Sequence, residues 1–182
     1  MLPILAIGAC GSDGGGGLNE PDDYLANPSI AEAIEFSGLV IHQGSDPPGI
    51  EGRYATSGSV VTASDALIVG RSFESEVCLY DQTAAGDIAS WEFQDGATSR
   101  ATGSITGDDA GFTIWQEVAS ESAQCREQNA AILSGVPRSD GDLDFQSLFV
   151  IVHATACKGV QAGDWALSEG LLDLEGTCAG LP

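Results

Sequence analysis

Basic residues are nearly missing from this chain: Lys158 is the single lysine, and lysine plus arginine total 6 against 27 acidic residues, for a formal net charge of −21. Affinity for nucleic acid is supplied mainly by lysine and arginine at phosphates, so nucleic-acid binding is excluded as a function class. A basic patch for anionic lipid headgroups is excluded for the same reason. No run approaches the roughly 20 apolar residues that a spanning helix needs. The two histidines, His42 and His153, lie far from every cysteine, and no C-x-x-C or C-x-x-H spacing occurs. A zinc site is therefore not expected. G-x-S-x-G, P-loop and H-E-x-x-H patterns are all missing, so the chain reads as a non-enzyme with no catalytic residue and no cofactor. His153, inside a strongly apolar strand, reads as a satisfied core residue. His42 stands in an exposed-looking approach to the Pro47-Pro48 turn with no partner in view.

What is present is acid, glycine and short apolar segments. Excess carboxylate keeps a surface hydrated and self-repelling. It reads as adaptation to salt rather than as a site for calcium or a basic partner. Ser139-Asp140-Gly141-Asp142-Leu143-Asp144 alternates carboxylates as a hard cation would want. It lacks the later glycine and the bidentate glutamate of a calcium-binding loop (position twelve from Asp140 is Ile151). It reads as a polar turn, and no metal is expected.

Residues 10 to 182 suit one domain with a proper core, the chain being 43% hydrophobic. From Ile50 onward the pattern is strand, turn, strand. The candidates are Gly52–Thr62, Glu74–Asp81, Asp87–Gln94, Thr98–Thr106, Gly111–Ala119, Gln128–Gly135, Phe145–Thr155 and Trp165–Leu174. Regular short strands with frequent turns indicate an all-β fold: an antiparallel up-and-down barrel of about eight strands, with a β-sandwich as the alternative. Asp95-Gly96 is a strong two-residue hairpin signal, and Gly107-Asp108-Asp109-Ala110 makes the next turn. Ala89, Trp91 and Phe93 alternate with Ser90, Glu92 and Gln94, which predicts one buried and one wet face. In the following strand Ala101 and Gly103 share a face with Ile105, and this low bulk suits an edge or a barrel side at a tight contact.

Asn27 before Pro28 reads as an N-cap with proline at N1, opening a short helix from Ser29 to about Glu35 with Ile30, Ala33 and Ile34 on one face. Leu148-Phe149-Val150-Ile151-Val152 is apolar on both faces, so its outer side needs a cover. The segment from Ile30 to Ile41 is the nearest candidate, and an oligomer contact the second.

At the N-terminus, Leu2-Pro3-Ile4-Leu5-Ala6-Ile7-Gly8-Ala9 ends at Cys10, followed by Gly11-Ser12-Asp13-Gly14-Gly15-Gly16-Gly17. Ile7-Gly8-Ala9-Cys10 resembles the lipobox of bacterial lipoprotein precursors. That resemblance implies a signal peptide over residues 1–9, shortened and without a basic start. It also implies lipidation at Cys10 after cleavage, and a flexible acidic tether over residues 10–28 ahead of a barrel domain over 29–182. The protein would then sit in the bacterial cell envelope, lipid-anchored at the outer membrane. With Cys10 acylated, Cys78, Cys125, Cys157 and Cys178 remain, an even number that fits two disulfides in an oxidising compartment. Three pairings exist; Cys78–Cys125 with Cys157–Cys178 is the one expected here, because Cys157 and Cys178 flank the last strand.

Two further resemblances concern the barrel. Gly52-Arg53-Tyr54 looks like the G-x-W start of lipocalins, with Tyr54 in place of the tryptophan. Asp46-Pro47-Pro48-Gly49-Ile50-Glu51-Gly52-Arg53-Tyr54 looks like the entry segment of small, uncharacterised bacterial lipoproteins, a likeness that extends loosely over residues 37 to 175. Both imply a β-rich domain, and the lipocalin likeness implies a barrel that binds small apolar molecules. Tyr54, Trp91, Phe93, Phe112 and Trp115 are candidates to line the interior, either as filling or around a ligand. If a ligand sits there it is apolar or amphipathic, with Arg53 or Arg100 to pair a carboxylate on it. The expected function is therefore a non-enzymatic envelope lipoprotein that binds a small hydrophobic ligand or a protein partner. The alternative is a structural subunit of a surface assembly or filament.

Overall fold

Among the described residues, nine strands alternate with short turns after a helical segment: β1 Gly52–Ser64, β2 Ser72–Phe73, β3 Glu76–Tyr80, β4 Asp87–Gln94, β5 Ala97–Asp108, β6 Gly111–Ser122, β7 Cys125–Pro137, β8 Leu143–Thr155 and β9 Trp165–Gly176. The computed structural model describes residue 18 and residues 20–179, apart from 66–68, 95–96, 123–124, 156, 158 and 160. The expected lipidation at Cys10, the expected signal peptide and glycine tether on either side of it, and the hairpin turn expected at Asp95-Gly96 fall on residues outside those described.

Each strand from β3 onward pairs antiparallel with the next, β1 pairs with β3, and β9 returns to pair with β1. The result is a closed, eight-stranded up-and-down antiparallel barrel, lipocalin-like in outline. The two-residue β2 is an addition laid on β1 at Ser59 and Val60. Closure removes the free sheet edges that the sandwich alternative would leave. The Thr98–Thr106 segment becomes β5, a barrel side. A Cβ at Gly103 would meet the Trp115 carbonyl oxygen and come within 2.8 Å of Gln116 Cγ, so the close approach of β5 and β6 requires glycine there.

Period-two alternation divides β6 to β9 between two apolar clusters. Ile88, Ile105, Phe112, Ile114, Phe145 and Leu172 belong to one, which fills the barrel interior. Trp115, Ile132, Leu148, Val150 and Leu167 occupy the alternate positions on β6 to β9 and pack outside the barrel against Tyr24, Ile30, Ala33 and Leu39. The N-terminal segment thus covers the doubly apolar β8, as its sequence predicts.

Helix α1, Pro21–Ala26, occupies ground where an extended tether is expected. Its Tyr24 is almost fully buried against Trp115, ring centroids 5.6 Å apart, and that burial anchors residues a tether would leave loose. Helix α2, Pro28–Ser37, begins at the expected cap: Asn27 Oδ1 accepts hydrogen bonds from the Ser29 and Ile30 N–H groups. Gly38, at φ 74°, ends the helix in the left-handed region. Replacing Asn27 by alanine should cost about 1 kcal/mol, read as a lowered urea midpoint with unchanged slope. The strand character that the sequence suggests for Phe36 to Ile41 is lost to α2 up to Ser37, and after Gly38 residues Val40 to His42 join no ladder. Their backbone is held by side chains instead: Val40 N–H donates to Gln146 Oε1 (3.0 Å), His42 N–H donates to Thr113 Oγ1 (2.8 Å), and Ser134 Oγ donates to Val40 O.

The disulfide expectation is corrected. Cys78 pairs with Cys178, Cα atoms 5.8 Å apart, so neither Cys78–Cys125 nor Cys157–Cys178 forms. Cys157 is also disulfide-bonded; the side chain of Cys125 lies outside the described residues. Cys78 alternates with the inward Val77 and Leu79, so it points outward, yet it is completely buried. The bridge forms because β9 and β3 flank β1 on either side, which brings the chain just past Gly176 to the outer face of β3.

Candidate functional site

The barrel interior has two unlike halves. At the end where β1 begins, Ile50 plugs the floor and is tied to the wall by Tyr54, whose hydroxyl donates to Ile50 O at 2.9 Å. Burial there pushes the Tyr54 phenol up to about 12. An open cleft outside this floor, between residues 45–51 and 82–84, already uses its own polar groups. Gln82 Nε2 donates to Pro48 O, Gln82 Oε1 accepts from Ile50 N–H, and Gln82 N–H donates to Glu51 Oε1.

Toward the other end the inner wall turns small and polar. Alternation carries inward from Ile88 to Ser90 and Glu92, from Ile114 to Gln116, from Leu133 to Ala131 and Asn129, and from Phe145 to Phe149. Phe149 faces inward but is 40% exposed, so solvent enters this half. Ser90 Oγ donates to Gln116 Oε1 at 2.9 Å, reaching across the space left by Gly103. Gln116 and Asn129 are 7% and 2% exposed, yet Gln116 Nε2 and Asn129 Oδ1 have no hydrogen-bond partner among the described residues. Such a group costs about 1–3 kcal/mol when left unsatisfied, and its persistence asks for an explanation in function or bound solvent.

Glu92 sits in this half, with Val77 and Ser99 as its cross-strand neighbours. Burial pushes its carboxyl above the ordinary glutamate value of 4.5, and a side-chain hydrogen bond with Ser75 lowers it only in part. The folded protein therefore holds this proton more tightly than the unfolded chain does. The stability Glu92 contributes is fully present below 4.5 and is lost as pH rises through the raised folded value. Glu92→Gln should flatten the fall of Tm over that window and raise Tm at neutral pH. Identical profiles for variant and parent would show that the carboxylate is well solvated after all.

The residues singled out from the sequence are dispersed by this geometry. Tyr54 and Phe112 are interior. Trp115 is on the outer wall beneath the helices, its indole N–H donating to Thr106 Oγ1 at 3.1 Å. Trp91 and Phe93 also point outward, stacked with centroids 6.2 Å apart; Ala89 and Trp91 are buried on that outer face as expected, with Ser90 and Glu92 half-buried, and Phe93, 41% exposed, is the departure. Arg53 shares their face, being paired in register with Cys78, and makes an exposed ion pair with Glu76 (2.7 Å). Arg100, opposite Trp91, is exposed on the same outer wall. Neither arginine can meet a carboxylate inside the barrel. His153 is exposed rather than in the core, its Nε2 2.9 Å from Thr155 Oγ1, because a register shift between Gln128 and Asn129 interrupts the alternation of β8 there. The Ser139–Asp144 stretch is the turn expected: Asp140 Oδ1 caps Asp142 N–H and Asp142 Oδ1 accepts from Leu174 N–H. Among the described residues no group of three or more candidate ligands could hold a metal.

The interior polar group of Ser90, Glu92, Gln116 and Asn129 escapes a search for aromatics and arginines. Its trace in the sequence is a polar residue two places beyond an inward aliphatic on β4 and β6, and four places before one on β7. No family model, no curated protein and no solved structure matches this chain.

Proposed function

We propose that the chain is a non-enzymatic binding domain of the bacterial envelope, held at the outer membrane by acyl groups on Cys10, whose barrel admits a small amphipathic molecule at its open half. The observation that carries the reading is the solvent-reached inner wall at Phe149 beside the unpartnered Gln116 and Asn129. An apolar enclosure with a few convergent polar groups is the usual form of a small-molecule site. The anchor rests on the Ile7-Gly8-Ala9-Cys10 sequence. Catalysis plays no part in this reading.

Calorimetric titration with decanol is the direct test, since Trp91 and Trp115 are outside the barrel and their fluorescence would not report occupancy. Decanol should bind, and Ala131→Trp, which fills the space opposite Phe149, should abolish uptake while the far-ultraviolet spectrum stays the same. No heat with the parent protein, or undiminished uptake by the filled variant, refutes the barrel site. The anchor is tested separately by intact mass from the native host, where an unmodified Met1 start would overturn it. A second reading, docking of a protein partner on the outer wall, draws on the exposed Phe93 stacked upon Trp91. Loss of a co-purifying partner on Phe93→Ser would favour it.

A further inference from the structure

We infer that the open half of the barrel selects ligands carrying a protonated amine, with Glu92 as the residue that recognises it. The inference deepens the proposed function and rests on it, because a barrel that admits nothing selects nothing. Its ground is the sorting of charge between the two faces of the wall. Arg53 and Arg100 stand in one outward row with Cys78 and Trp91, and Arg53 is occupied by Glu76. The row beneath, facing inward, is Tyr54, Val77, Glu92 and Ser99. Glu92 is the carboxylate of that row, and its cross-strand neighbours offer it no positive charge.

The other polar groups of the same open half suit a donor-bearing head. Ionised Glu92 accepts only, and Asn129 Oδ1 is an acceptor awaiting a donor. An ammonium group carries three donors and suits an acceptor of either kind. Gln116 Nε2, the unpartnered donor of the site, remains for a hydroxyl or carbonyl on the same ligand. An apolar tail would find Ala131 and Phe149. The net charge of −21 draws cations toward the molecule from a distance, whereas a fatty carboxylate would meet repulsion outside and Glu92 within.

The test compares decylamine, decanol and decanoate by calorimetry at neutral pH, below their aggregation limits and at two salt concentrations. Decylamine should bind at least about tenfold more tightly than decanol, the ratio expected of a charged hydrogen bond, and decanoate should bind least. Glu92→Gln should abolish the preference for the amine while keeping decanol affinity. Asp109→Asn, at an exposed turn, serves as the control for diffuse attraction and should change nothing. Equal affinity for all three probes, or an amine preference that survives Glu92→Gln, overturns the inference and leaves the barrel site standing. Failure of every probe, decanol included, refutes the proposed function itself.

Discussion

Removing the Cys78–Cys178 bridge with a Cys78→Ala/Cys178→Ala double variant should cost the barrel about 4 kcal/mol. The bridge spans 100 residues of sequence, and confining a loop of that size in the unfolded chain stabilises the fold by up to about 4.7 kcal/mol in the chain-entropy account. For a domain of this size each kcal/mol corresponds to about 2–4 °C, so Tm should fall by roughly 10 °C. Alanine is the right replacement because Cys78 is completely buried, and a serine hydroxyl there would add a second penalty of its own. The double variant also isolates this bridge from the one at Cys157, which a reductant would open as well. A scanning calorimetry trace superimposable on the parent's would mean that the strands close the barrel without covalent help.

Trp115→Ala should be nearly as damaging, at about 3–5 kcal/mol, but its damage should be local in form. Trp115 is 1% exposed on the outer wall of β6 and packs with Tyr24 of α1. Its N–H donates to Thr106 Oγ1, which in turn donates to His42 O in the segment after α2. Truncation removes the surface on which the helices rest and cuts the hydrogen-bonded path to that segment. The interior cluster, built from the opposite face of the same strands, is untouched. Protease should therefore cleave residues 20–42 early while the barrel survives, and hydrogen exchange should speed up in α1 and α2 before it does in β3 to β5. Uniform loss of protection across the molecule would show that the helices and barrel form one cooperative unit.

Both predictions depend on neighbours that are distant in sequence, and this marks how far a linear reading reaches. Turn chemistry and β-branched or aromatic runs are local signals, and all eight barrel strands were legible from them, with β4 bounded at Asp87 and Gln94 as observed. The Asn27 cap and the need to cover β8 were legible for the same reason. The two-residue β2 was not, because a pairing that short leaves no pattern.

Taken alone, the sequence determined an acidic all-β chain with turns in known places and two faces to every strand. It did not determine which face points inward, because a period of two separates the faces of β4 without labelling them. A small closed barrel has limited room inside, and its outer wall can be covered by other chain. Trp91 and Phe93 accordingly went outside, while Ser90 and Glu92 faced in. The same closure, by joining β9 to β1, chose the cysteine pairing and turned both arginines of β1 and β5 away from the interior. The site was decided in three dimensions because it is assembled from single residues of several strands, and only the closed sheet brings those strands to a common centre.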